Sequence, residues 1–129
     1  MTALTANSLV AEARRQISEI APEALASAPA DAVLIDVREP AEFATGHLPG
    51  AINVPRGVLE FEIEAHPAVG GTTEPGLADR QRPIVVYCRS GGRAALAAMS
   101  LQQLGFADVR SIAGGIMGWS AAGLPVVNR

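Results

Sequence analysis

The sequence predicts an α/β domain built on a mainly parallel sheet of about five strands. Two observations lead to this prediction. Apolar runs of strand length alternate along the chain with stretches of helical spacing, and the strongest runs are almost entirely apolar, as in strands buried on both faces. The chain has 129 residues, of which 49% are hydrophobic and 18% charged. This length and composition fit one domain with a packed core.

Five segments are predicted to be strands. The clearest is 83–87, a run of Pro, Ile, Val, Val and Tyr that leads directly into Cys88. The run 32–37 is apolar except for Asp36 and ends before Pro40, as expected for a strand buried on both faces. The remaining strands are predicted at 16–20, 51–54 and 107–112.

Helices are predicted between the strands from the spacing of apolar residues and from capping signals. Residues 94–104 carry apolar side chains near helical period, and Gly105 follows as a typical helix stop. The segment 66–82 is rich in Gly and Pro and is predicted to be an exposed loop. The other helices are predicted at 5–16, 21–26, 56–65 and between Gly114 and Gly123.

Charge and cysteine content exclude several classes of function. The net charge is −3 and the ten basic residues are all arginines without a clustered run, which argues against a nucleic-acid surface. No apolar stretch approaches the roughly 20 residues that span a bilayer, and the pattern of a secretory signal is missing, so we expect a cytoplasmic protein without membrane contact. Cys88 is the only cysteine, which excludes an internal disulfide and a multi-thiolate metal site within one chain.

The clearest chemical signal is the segment 88–93, Cys-Arg-Ser-Gly-Gly-Arg, between the strongest strand and the clearest helix. Ligands of parallel sheets bind at the carboxyl ends of strands, and Cys88 occupies that place. Gly91 and Gly92 allow the loop to curl so that its backbone N–H groups converge, and the following helix adds its own unpaired N–H groups and its positive dipole end. Such an arrangement favours an anion, and only the Cys88 sulfur is placed to supply one, as a thiolate.

Arg89 and Arg93 add two permanent cations to this loop. Their planar guanidinium groups are suited to hold an oxyanionic substrate within reach of the sulfur. A lone cysteine at a strand end is often only a small buried apolar residue. Because two arginines and two glycines follow Cys88 within five positions, we interpret the loop as functional.

Other polar residues near the predicted strand ends are interpreted as structural. Asp36 and Arg38 are expected to form a buried or half-buried ion pair. His47 lies in a Gly- and Pro-rich turn and is expected to fix that turn rather than to act as a ligand or base. A hydrolase triad of Cys88, His47 and Asp36 is conceivable from the residue types, but their spacing does not support it. Gly114–Gly115 superficially resembles a nucleotide-binding fingerprint, which is rejected because no further strand and helix follow.

The loop 88–93 resembles that of the rhodanese family of sulfurtransferases, and further segments resemble the family in the same order. They are Leu34–Phe43, Phe43–Pro55, and Gly114–Gly115 followed by Trp119. Together the segments cover about residues 16–126 and are specific as a set. The resemblance implies a rhodanese-like fold with helices on both faces of the sheet. It also implies one rhodanese-like domain at 16–129, preceded by an N-terminal helical extension at 1–15.

The resemblance further implies a sulfurtransferase in which Cys88 cycles between thiol and persulfide. The resemblance also implies that Arg89 and Arg93 orient the donor. The backbone of the loop is implied to stabilise the charged sulfur, at Arg89, Ser90, Gly91, Gly92 and Arg93. The expected partners are a small donor such as thiosulfate and an acceptor that is cyanide, a thiol or a sulfur-carrier protein. No metal or organic cofactor is expected.

Three other functions compete with this one. Phosphatases and arsenate reductases also place cysteine and arginine in a strand–loop–helix cradle, but the phosphatase pattern has one more residue between them than the four that separate Cys88 from Arg93. A non-catalytic interaction module usually lacks the cysteine. Dithiol redox exchange would need a resolving cysteine from another molecule.

Overall fold

The predicted strands pair into a parallel sheet in the computed structural model, which describes residues 3–64 and 75–128. The strands are β1 (Ser18–Ile20), β2 (Val33–Asp36), β3 (Ile52–Asn53), β4 (Ile84–Tyr87) and β5 (Val109–Ile112). The α-helices of the described chain are α1 (Ala6–Gln16), α2 (Pro40–Ala44), α3 (Leu59–Glu62), α4 (Gly92–Gln103) and α5 (Gly115–Ala121). Short 3₁₀ helices occupy Pro22–Ser27, Arg56–Val58 and Pro75–Ala78.

The sheet has the strand order β1-β5-β4-β2-β3, with every neighbouring pair parallel. β4, the most hydrophobic strand, lies at the centre, and all four of its residues are buried. Asp36 at the end of β2 is opposite Tyr87 at the end of β4. The chain segments that leave these two strands therefore start side by side at the same edge of the sheet, which positions the loop after β4 beside the loop after β2.

Side chains alternate between the two faces of the sheet, and a separate apolar cluster covers each face. On one face Ile35, Val86 and Cys88 pack with residues of α3 and α4. On the other face Val85 and Tyr87 pack with residues of α5 and of the 3₁₀ helix after β1. The prediction of an α/β fold with a parallel sheet of five strands and helices on both faces is confirmed. Helix α1 adds a further layer, since it packs against α4.

Several elements differ from the sequence-based expectations. Helix α2 was not predicted, because Pro40 looked like the end of a strand; it instead begins the helix, where its missing N–H costs nothing. The helix expected at 56–65 is shorter, with a 3₁₀ turn followed by the four residues of α3. The segment expected as a short helix at 21–26 is a 3₁₀ helix.

The prediction of an exposed loop at 66–82 is wrong for residues 75–78, whereas residues 79–82 form no helix or strand. Residues 75–78 form a 3₁₀ helix, and the side chain of Leu77 is buried in the cluster that also contains α3 and α4. Residues 66–74 of that prediction lie outside the described residues. In the part of the chain that the structure describes, no helix has the length and apolar character needed to cross a membrane.

Candidate active site

The loop that connects β4 to α4 begins with Cys88. The alternation along β4 directs the cysteine side chain to the same face as Val86, and only 1% of its surface is exposed. The loop ends at Gly91, which precedes α4 and has a φ of +119°. Residues with a side chain rarely adopt this conformation, so glycine is what lets the chain pass from strand to helix within so few residues.

Two backbone amides donate hydrogen bonds to the sulfur of Cys88. The N–H of Gly91 is 3.1 Å from Sγ, and the N–H of Ala94, in the first turn of α4, is 3.4 Å away. The sulfur is therefore enclosed by apolar side chains but faces backbone donors and the positive end of a helix. These groups stabilise a negative charge on sulfur. Amides were expected to converge from the loop and from the start of the following helix; the two observed donors are Gly91 in the loop and Ala94 in the first turn of α4.

Helix α5 holds the loop from its other side. The carbonyl oxygen of Cys88 accepts a hydrogen bond from the N–H of Ile116 at 2.9 Å, and that of Arg89 accepts one from Met117 at 3.1 Å. Gly115 lies so close that a Cβ atom there would be 2.5 Å from the Cys88 oxygen. These two hydrogen bonds hold the start of the loop against α5. The close approach requires glycine at position 115 without any need for a nucleotide, and Gly114, which caps α5, has a φ of +75° that also favours glycine.

The two arginines of the loop have different surroundings. Arg89 is exposed, and the described chain contains no carboxylate in an ion pair with it. Arg93 donates two hydrogen bonds to Glu42 of α2, at 2.7 and 3.0 Å. These bonds, together with one from the N–H of Glu39, lower the pKa of Glu42 from 4.5 to about 2, against the opposing effect of burial. The charge of Arg93 is therefore neutralised within the protein.

Asp36 and Arg38 form the ion pair expected from the sequence. Both side chains are buried, and the guanidinium group binds the carboxylate through Nε and Nη2 at 3.0 and 2.7 Å. Nη2 of Arg38 also donates to the carbonyl oxygen of Gly46 at 2.6 Å. Nearby, the hydroxyl of Tyr87 accepts a hydrogen bond from the N–H of Leu48 at 3.1 Å, and burial raises the pKa of this phenol. These contacts join β2 and β4 to the segment after α2.

His47 lies in that same segment and contacts its neighbours rather than the cysteine. Its Nδ1 is 3.0 Å from the carbonyl oxygen of Phe43, and its ring stacks on the Phe43 ring at 3.7 Å. Its backbone pairs with Val127 near the end of the described chain. This geometry agrees with a role in fixing the turn, and it gives the triad of Cys88, His47 and Asp36 no support.

A cavity of about 510 Å³ lies beside the loop. Its lining includes the charged side chains of Arg38, Glu42 and Arg89 and the apolar side chains of Ile116, Met117 and Val126. Arg89 is the member of the cysteine loop that reaches this cavity. A ligand there would meet the uncompensated cation of Arg89 as well as apolar side chains.

The amino-acid sequence matches a known protein family over most of its length. The family model of the rhodanese-like domain matches residues 21–122. The chain belongs to the rhodanese family. The resemblance seen in the sequence motifs is thereby confirmed.

Individual relatives agree with this assignment. The sulfurtransferase of Allochromatium vinosum is 34% identical over 114 residues, which cover 86% of this chain and 95% of that protein. The thiosulfate sulfurtransferase 16, chloroplastic, of Arabidopsis thaliana is 39% identical over 94 residues, or 70% and 76% of the two chains. Kinship with rhodanese proteins of these names supports sulfurtransferase activity in general for this chain.

A solved rhodanese-fold structure covers nearly the whole chain. It is a protein of unknown function from Rhodopseudomonas palustris, described as a possible tyrosine phosphatase. The two chains are 30% identical, the match covers 98% of this chain and 97% of the other, and the TM-score is 0.84. The match therefore includes helix α1 as well as the rhodanese-like domain.

Two groups around the rhodanese loop were not predicted from the sequence. These are the Glu42 carboxylate and the amides at the start of α5 that bind the carbonyl groups of Cys88 and Arg89. Only Glu42 left a local signal: it stands three residues after Glu39, the spacing of a capping box, and its carboxylate accepts the Glu39 N–H at 3.0 Å. The other contacts depend on how distant segments meet in the fold.

Proposed function

We propose that this rhodanese protein moves a sulfane sulfur from a small donor such as thiosulfate to a thiophilic acceptor, through a persulfide on Cys88. The observation that carries the proposal is the pair of hydrogen bonds from Gly91 and Ala94 to Sγ. A structural cysteine needs no such donors, whereas a nucleophilic thiolate and its persulfide both carry negative charge that backbone amides stabilise.

The proposed reaction has two steps. In the first, the Cys88 thiolate attacks the outer sulfur of thiosulfate; the new S–S bond forms as the S–S bond of the donor breaks, and sulfite leaves with the bonding electron pair. In the second, a nucleophile attacks the outer sulfur of the persulfide, and Cys88 leaves as a thiolate. Cyanide becomes thiocyanate, and a thiol acceptor becomes a persulfide after its proton passes to solvent. In both steps the transferred atom stays a sulfane sulfur or its equivalent, so neither step needs an external oxidant or reductant.

We assign the loop residues to this cycle by their contacts. The amides of Gly91 and Ala94 hold the charge on the cysteine sulfur, both as attacking group and as leaving group. Arg89 lines the cavity without a carboxylate partner among the described residues, so it is suited to bind the oxyanion of the donor. Arg93 holds the loop against α2 through Glu42. Direct contact between Arg93 and the donor stays a prediction.

A phosphatase is the second candidate, because one structural neighbour is described as a possible tyrosine phosphatase. The loop does not favour it. Only four residues separate Cys88 from Arg93, and the Arg93 guanidinium is bound to Glu42 on both sides of its fork rather than left open for phosphate. Hydrolysis of an aryl phosphate that disappears in Cys88→Ser would support the phosphatase instead.

Intact mass measurement tests the proposed function directly. After incubation with thiosulfate and removal of excess donor, the wild-type protein is expected to gain the mass of one sulfur atom and to lose it on treatment with cyanide. Cys88→Ser is expected to gain nothing while it keeps the unfolding transition of the wild type. No gain by the wild type, or an equal gain by Cys88→Ser, would overturn the proposal. The acceptor follows from comparing cyanide, small thiols and candidate carrier proteins; the cytoplasmic location stays a prediction.

A further inference from the structure

Helix α1, outside the matched rhodanese-like domain, lies directly on the cysteine loop. Nη2 of Arg14 is 2.9 Å from the position that a Cβ atom on Gly91 would take, and Cγ2 of Val10 is 3.7 Å from the corresponding position on Gly92. Val10 and Arg14 stand four positions apart, one turn along the same side of the helix. The N-terminal helix therefore brings a charged group to the loop from a part of the chain that the loop motif does not include.

The position of Arg14 limits how far its charge is from the sulfur. The Gly91 nitrogen is 3.1 Å from Sγ. With bond lengths of about 1.5 Å between N, Cα and Cβ, Nη2 of Arg14 lies no more than about 9 Å from Sγ. This distance is comparable to the Debye length of about 8 Å at physiological ionic strength, so a charge at the sulfur experiences the guanidinium group in a salt-dependent way.

The charge of Arg14 is not neutralised by a carboxylate of the described residues. The neighbouring Arg15 forms an ion pair with Glu12, and Arg93 forms one with Glu42. In the described residues no carboxylate forms an ion pair with Arg14, and its side chain is exposed. Among the arginines next to the loop, Arg14 and Arg89 share this property.

The helix that carries Arg14 is well anchored. It packs against α4 and buries Ala13, whose side chain is 2% exposed. At its start, Thr5 and Ser8 exchange hydrogen bonds between side chains and backbone in a capping box. These contacts fix the direction of α1 and therefore the side from which Arg14 reaches Gly91.

We propose that Arg14 is a donor-binding residue, which together with Arg89 selects anionic sulfur donors, that is, small oxyanions carrying a sulfane sulfur. The inference rests on the proposed function, and it extends the site beyond the rhodanese-like domain to the N-terminal helix. A dianion gains more from two uncompensated cations than a neutral molecule does. Arg14 is therefore expected to act mainly on the first step, donor binding, and much less on discharge of the persulfide to a thiol that carries no other charge.

The experiment measures the two steps separately in the full chain, with thiosulfate as donor and a neutral thiol as acceptor. Arg14→Ala is compared with Arg15→Ala, which removes an adjacent arginine of the same helix that is paired with Glu12. We expect Arg14→Ala to raise the donor KM about 2- to 5-fold, the effect of one exposed charge contact, with little change in kcat. It should also weaken the dependence of KM on salt concentration. Arg14→Lys should restore most of the affinity, and Arg15→Ala should behave as wild type.

The outcomes separate this inference from the proposed function. Equal donor KM values for Arg14→Ala and wild type, or equal losses in Arg14→Ala and Arg15→Ala, would overturn the role of Arg14 while sulfur loading continues. A discharge to neutral thiol that slows in Arg14→Ala by as much as the donor KM rises would also overturn it, since that result indicates a general disturbance of the loop. If the wild type takes up no sulfur from thiosulfate, the proposed function itself fails.

Discussion

Glu42 and Arg93 are 51 positions apart in the chain, yet their side chains meet in two parallel hydrogen bonds of 2.7 and 3.0 Å. The contact joins the first turn of α4 to α2, the short helix after β2. It consequently links the loop that holds Cys88 to the segment that holds the Asp36–Arg38 pair. Both side chains are about one-third exposed, which keeps the expected energy of the contact modest.

The Glu42 pKa predicts how this contact depends on pH. Its pKa is about 2 in the folded protein and near 4.5 when unperturbed, so the ionised carboxylate stabilises the fold above pH 4.5, and this contribution is lost as the pH falls toward 2. Glu42→Gln should therefore lower the free energy of unfolding at pH 7 by about 1 kcal/mol or less. The difference from wild type should shrink between pH 4.5 and 2 in urea titrations. Glu23→Gln, which removes an exposed carboxylate, should show no such trend.

Arg93 and Arg89 should respond differently to removal of their charge. Arg93→Ala should lower stability, and a double-mutant cycle with Glu42→Gln should give a coupling of about 0.5–1 kcal/mol because the two side chains form one contact. Arg89→Ala should leave the unfolding free energy unchanged and raise the donor KM about 2- to 5-fold. Steady-state kinetics and urea unfolding of the same samples measure both effects. Additive stability losses for Glu42 and Arg93 would contradict the pairing.

Gly115 should be far less tolerant of a side chain than Gly123. Both glycines have positive φ, +60° and +78°, but a Cβ at 115 would be 2.5 Å from the Cys88 oxygen, whereas nothing lies within 4 Å of one at 123. Gly115→Ala should cost more than about 3 kcal/mol, since strain and steric overlap add, and it should slow sulfur loading of the protein that remains folded. Gly123→Ala should cost only about 1–2 kcal/mol. Similar losses in the two variants would show that α5 moves freely away from the loop.

The hydroxyl of Tyr87 should contribute to stability through one buried hydrogen bond. Tyr87→Phe leaves the N–H of Leu48 without its acceptor, in a place where Leu48 is fully buried. The expected loss is about 1–3 kcal/mol in the free energy of unfolding. Sulfur loading per folded molecule should stay the same, because Tyr87 points to the face of the sheet opposite Cys88. An unchanged unfolding midpoint would show that water replaces the hydroxyl.

The strands were predictable because burial on both faces leaves continuous apolar runs at 32–37 and 83–87. The loop was also predictable, because Cys88 and its glycines lie within a few consecutive residues and form a local pattern. Helix α2 was not, because five residues are too few to show a helical period. The partners of the loop were not predictable either. Glu42 and Arg93 are 51 positions apart in the chain, and nothing in the residues around Arg14 indicates that it would contact Gly91.

The hydrogen bonds from α5 to the carbonyl groups of Cys88 and Arg89 also make the order of synthesis important. The nascent chain carries Cys88 out of the ribosome before α5, so the thiol exists for a time without the groups that orient its loop. Chains stopped ahead of Gly115 would contain the cysteine but lack the donors of Ile116 and Met117. The chain must therefore be made at least as far as α5 before the proposed sulfur chemistry can begin, and products truncated ahead of Gly115 should be inactive.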